Sequence, residues 1–246
     1  MIISVINLSG GAIHDEQLQR AIRAVNRQIA DDFVPYWGFG ARLRLEGKSA
    51  RGRAAIEPAD MRGDAILYIR NRRDPEFDGV HEATVAGIPY GSVFLEVSQA
   101  LDEEWTVTLS HEALELIGDP EVNLLVRGPH PTEHRKVFHW FEMCDAVQDD
   151  AYEVDGVRVS NFVLPLYFTS SNERGGRNDF LGTLHGGRTL RSFSVNPGGY
   201  IGFFDPKVGD DVTFSLDDDD RAKARLTAKQ ERRVGRVQLR RLVSRD

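Results

Sequence analysis

The sequence predicts an α+β protein: an N-terminal α/β subdomain that closes on one chemistry-bearing helix, followed by a subdomain of short strands and loops. Three observations carry this. Apolar strand and helix patterns alternate through the first 120 residues, a helical pattern runs from Asp102 to Ile117, and after Pro120 the texture shifts to short strands. The 246 residues are 41% apolar and 28% charged, the balance of a globular chain with enough length for a sizeable core.

The elements follow in order. Ile2 to Leu8 is an apolar strand. The N-terminus lacks a basic stretch and a cleavage site, so it reads as this strand and not as a signal peptide. Asp15 to Phe33 repeats apolar residues at Leu18, Ala21, Ile22, Val25 and Ile29, a helix started by His14 or Asp15. Arg42 to Glu46 alternates like a half-buried strand, and Ala65 to Ile69 is the unbroken run of an interior one. Ile88 to Val97 is a strand whose Pro89 suits an edge. The helix Asp102 to Ile117 should stop at Gly118 in a left-handed position, with Pro120 beyond it. Tyr152 to Val159 reads as a hairpin turning at Asp155-Gly156. The expected division is 1–120, 121–216 and a charged tail, 217–246.

The net charge of −7 hides an asymmetry, because residues 221 to 246 carry ten Lys or Arg against two acids. The acidic remainder, at −15, argues against nucleic-acid binding by the main domain, since phosphate contacts need clustered cations. The tail, which follows Asp217 to Asp220, reads first as a solvated helix packing on the acidic body, and second as a nucleic-acid or membrane arm; docking of a protein partner through it is a further expectation. No apolar run approaches the roughly 20 residues of a membrane span, so no membrane partner is expected. A single cysteine, Cys144, allows no internal disulfide; a cytoplasmic setting is expected.

Chemistry concentrates in Ser110-His111-Glu112-Ala113-Leu114-Glu115, a His-Glu-x-x-Glu pattern. Its four-residue spacing sets His111 and Glu115 one turn apart on one helix face, able to grip one metal ion. Glu112 stands about 100° around the helix, where a carboxylate can serve as general base. In a shuffled chain with 7 His and 16 Glu the pattern is expected about 0.03 times. The same positions, with Thr108, also follow the spacing of a solvated helix face. A second acidic pair, Glu142 and Asp145, stands one turn apart if helical; Glu142 is the expected third ligand and Asp145 the carboxylate that orients His111. Asp145 itself, Asp119, and Glu121 in a longer ligand register are alternatives for the third ligand, Asp119 being equally suited to bracing the turn after the helix.

These residues resemble the zincin metallopeptidases. Beyond the helix motif, the chain resembles a bacterial family of uncharacterised metallopeptidase-like proteins. Its members read His-Glu-x-Leu-Glu-x-x-x-Asp-Pro, then Glu-x-Cys-Asp, then Gly-Val-x-Val-Ser-x-Phe-x-x-Pro-x-Tyr-Phe. The matching stretches here are His111 to Pro120, Glu142 to Asp145 and Gly156 to Phe168, with a further likeness at Tyr200 to Pro206. The resemblance implies a zincin-like mixed sheet with an active-site helix, one Zn²⁺ on His111, Glu115 and Glu142, Glu112 as general base, and a peptide or protein substrate held along an edge strand. The chain departs from established zincins at Glu115, where histidine is usual. A carboxylate there makes the metal's surroundings formally neutral and weakens its Lewis acidity. A catalytically weak zincin-fold protein that docks a partner, in part through its tail, is therefore the alternative expectation.

Other candidates read as structure. Cys144, between Met143 and Asp145, is a small buried hydrophobe. His130, His134 and His139 read as loop residues, and His185 in Leu184-His185-Gly186-Gly187 as a turn; Tyr167 and Tyr200 face the same choice between turn and oxyanion contact. Gly47-Lys48-Ser49 lacks the first glycine of a phosphate loop, and Gly38-Phe39-Gly40 lacks the third glycine of a dinucleotide fingerprint.

Overall fold

A computed structural model describes residues 1–46, 63–71, 88–169 and 176–216. The Gly47-Lys48-Ser49 stretch and the tail 217–246 lie outside the described residues.

The chain opens with β1 (Ile2–Leu8), whose middle is buried because it lies between two neighbours in a sheet that, among the described residues, has four strands ordered β2-β1-β3-β4. Here β2 is Arg42–Leu45, β3 is Ala65–Arg70 and β4 is Tyr90–Phe94. All three pairings among these described strands are parallel, and with the antiparallel strands farther along the described residues form a mixed α and β structure compatible with the expected α+β class. Parallel strands need covered faces, and the solid apolar runs of β1 and β3 reflect this. Of the expected strand Ile88 to Val97 only Tyr90–Phe94 is strand, at the end of the described sheet; Leu95 begins a helix.

Helix α1 (Asp15–Arg27) covers the sheet with Leu18, Ala21, Ile22, Ala24 and Val25. At its start the His14 backbone N–H donates to Gln17 Oε1, and Asn7 donates to the Asp15 carboxylate. The expected helix to Phe33 instead loosens into a π-helical turn over Gln28–Phe33, and then tightens into α2 (Val34–Trp37). Gly38, with φ of 74°, ends it by donating to Val34 O.

Helix α3 (Leu95–Ala100) is closed by Asp102, whose φ of 53° lies in the left-handed region. This delays α4 (Trp105–Gly118) by three residues relative to the sequence expectation. At its far end Gly118 is helical, not left-handed, and its lack of a side chain serves packing: a Cβ there would stand 2.5 Å from Met143 Cε and 2.9 Å from Met143 Cγ.

Beyond α4, β5 (Leu125–Pro129), β6 (Lys136–Trp140), β9 (Tyr200–Asp205) and β10 (Asp210–Ser215) form an antiparallel sheet ordered β10-β9-β6-β5. The hairpin β7 (Ala151–Val154) and β8 (Val157–Ser160) turns as expected, with Asp155 and Gly156 both at positive φ. Arg135 pairs with the buried Asp205 carboxylate and with Glu133, tying the β5–β6 loop to the end of β9.

The principal core joins α1, the parallel sheet and the buried face of α4 to Met143, Cys144, Val159 and Phe162, so it draws on residues from both sides of position 120. Cys144 is fully buried within it, as its neighbours suggested. No described helix is long and apolar enough to cross a membrane.

Candidate metal centre

Helix α4 carries its polar residues inward. His111 and Glu115 are only 2% and 9% exposed, so they do not form a solvated stripe. One turn apart as the spacing required, they meet with His111 Nε2 3.0 Å from Glu115 Oε1.

The third member is Asp145, 1% exposed, with Oδ1 3.2 Å from His111 Nε2. One ligand atom from each of the three residues lies within 4.8 Å of the others. Glu142 lies outside this group. The expectation that it shared a helical face with Asp145 fails because the chain is irregular at Glu142 and turns at Met143 and Cys144; a short 3₁₀ turn, Asp145–Val147, begins only at Asp145. Asp145, one of the alternatives for the third ligand, is the carboxylate grouped with His111 and Glu115, while Glu142, His139, Trp140, Tyr167 and Phe168 line a small cleft on which Asp145 also borders.

The other two alternatives for the third ligand are occupied elsewhere. Asp119 braces the turn after α4, its Oδ1 accepting from Asn123 N at 3.1 Å and its Oδ2 from Leu124 N at 2.8 Å. Glu121 is exposed and accepts from Asn123 Nδ2.

The donor set suits a divalent cation on two counts. A tetrahedral ion bound at about 2.1 Å holds its ligand atoms about 3.4 Å apart, within a few tenths of an ångström of the two separations here. A divalent cation also matches the charge of the set, since two ionised carboxylates and a neutral imidazole, the form of histidine that binds a metal, sum with it to zero.

Glu112 is half-buried and leans toward β4: a Cβ placed on Gly91 would come 3.6 Å from Glu112 Oε2. It is not one of the three clustered residues.

The remaining sequence candidates are structural. His139 is a buried strand residue, not a loop residue; its Nε2–H donates to Pro129 O at 2.8 Å, and burial holds its pKa down to about 4. His130 and His134 lie in the β5–β6 loop, where His130 Nδ1 accepts from Glu133 N. His185 sits in a turn and approaches Asp150 Oδ1 at 3.0 Å. Tyr167 is buried and donates to Ser194 O, so its hydroxyl is committed to the backbone; burial first, and then the charge of Asp145, push it above the usual phenol range. Tyr200 is a buried residue of β9.

Sequence reasoning missed one group around the centre. Gln28, on the π-helical turn, is fully buried; it accepts from Ser110 Oγ at 2.7 Å and donates to Ser160 O at 2.7 Å. The available signal was a glutamine three residues after Val25, on the apolar stripe of a helix.

No known family matches the chain, and neither a curated protein nor a solved structure does.

Proposed function

We propose that the protein is a zinc-dependent hydrolase of the metallopeptidase type, with His111, Glu115 and Asp145 holding one ion. The observation that carries the proposal is the buried group of one imidazole and two carboxylates at ligand spacing, beside a half-buried glutamate next in sequence to the histidine. A bound divalent cation supplies Lewis acidity, polarising a carbonyl and making water easier to deprotonate. The other steps belong to the chain. The Glu112 carboxylate takes the proton of the attacking water and delivers it to the leaving amine.

One feature separates this site from established zincins: Glu115 in place of histidine adds a negative charge, which lowers the drive to activate water. Turnover is therefore expected to be slow.

A second reading has its own support: the three residues are nearly sealed from solvent and come from α4 and from the turn before β7, so an ion there also clamps two parts of the chain together. Under it the protein is a binding module, with the tail as a docking element.

Glu112→Gln separates the two. If the protein is a hydrolase, this variant keeps its zinc, measured by elemental analysis, and loses at least about 100-fold in peptide hydrolysis. Unchanged turnover removes Glu112 from the mechanism. Zinc that raises the melting temperature of a protein that cleaves nothing supports the clamp.

A further inference from the structure

We infer that Ser110 and Gln28 are positioning residues for the metal centre, and that the run Ser160 to Val163 is the bracket through which they act; this rests on the metal-site reading above. The ligands come from two places, α4 and the turn carrying Asp145, so the site exists only if something sets their separation. One short run of chain does so. Ser160 N donates to Ser110 Oγ at 3.0 Å, gripping α4 one residue before His111. Three residues on, Val163 N donates to Met143 O at 2.8 Å, gripping the turn two residues before Asp145, while Asn161 N reaches Asp150 O at 2.8 Å on the turn's other side.

Gln28 closes the bracket from the opposite direction, linking Ser110 Oγ to Ser160 O through its carboxamide. Ser110, Gln28, Ser160 and Asn161 are all fully buried, so water does not replace a lost partner. The geometry is demanding: a 10° rotation of α4 about its axis moves a side-chain tip by about 1 Å, and a metal site tolerates about 0.2 Å. The bracket also gives a role to the Gly156 to Phe168 motif, which contributes no ligand.

The test uses Co²⁺ as probe, reading its affinity and its visible absorption in wild type, Ser110→Ala, Gln28→Met and Arg135→Leu. Arg135 lies in the clasp between the β5–β6 loop and β9, so its loss reports general destabilisation. Ser110→Ala and Gln28→Met should weaken Co²⁺ binding roughly 10- to 100-fold and alter the absorption band. Arg135→Leu should lower the melting temperature and leave both unchanged. If Ser110→Ala does not fold, Gln28→Met, close in volume to the native residue, carries the comparison. Wild-type affinity and an unaltered band in the folded variants would overturn the inference while leaving the metal reading intact. Absence of Co²⁺ uptake by the wild type would overturn both.

Discussion

At the scale of single residues the site turns on which carboxylate completes it. His111 and Glu115 were legible from spacing alone, because a helix fixes what four residues of separation mean. The choice between Glu142 and Asp145 was not, since their relation depended on a helical turn the chain does not make. Two small substitutions separate the roles. Asp145→Asn preserves shape while removing the charge that faces His111, and zinc affinity should fall by more than the roughly 10- to 100-fold typical of a residue outside the coordination sphere. Glu142→Gln should leave one zinc per chain in place. Elemental analysis of both proteins after dialysis checks this, and retention of zinc by Asp145→Asn with loss in Glu142→Gln would restore the ligand set expected from sequence.

At the scale of elements, sequence periodicity located β1, α1, β3, α4 and the β7–β8 hairpin, and it erred where an end depended on tertiary packing. The helix carrying His111 begins three residues late because Asp102 adopts a left-handed φ to close α3, a choice no local pattern announces. Its end at Gly118 was anticipated for the wrong reason. Glycine there admits Met143, and the two effects of adding a methyl oppose one another. Alanine gains about 1 kcal/mol over glycine within a helix, whereas overpacking a buried contact costs about 1–3 kcal/mol. Met143 Cε can swing away, but Cγ at 2.9 Å is held near its own backbone, so overpacking should win. Gly118→Ala is expected to destabilise by about 1 kcal/mol in urea unfolding. In a Met143→Ala background the same change should stabilise by a similar amount, and equal effects in both backgrounds would show that Met143 is not the reason for the glycine.

At the scale of the whole molecule, stability should depend on pH through two buried groups far apart in sequence from the helix motif. Asp205 is held down to about 2, chiefly by its hydrogen bonds to Arg135, so its contribution is complete above the unfolded carboxylate value near 4 and is lost as pH falls through about 2. His139 works in a higher window. It is packed between Phe193 and Phe203, with ring centroids 4.7 and 5.6 Å away, and burial lowers its pKa from 6.5 to about 4. Between those values the unfolded chain binds a proton that the folded one refuses, so unfolding becomes easier as pH drops from 6.5 to 4. The shift corresponds to roughly 3 kcal/mol, large against a typical domain stability of about 5–15 kcal/mol. His139→Gln keeps a side-chain donor for Pro129 O and does not titrate. Urea unfolding of the chelator-treated protein at intervals from pH 7 to 4 should show wild type losing stability more steeply than the variant, the chelator removing any contribution from proton competition for a bound ion. Parallel curves would mean that His139 takes up its proton in the fold as readily as in the unfolded chain, so that burial does not hold it neutral.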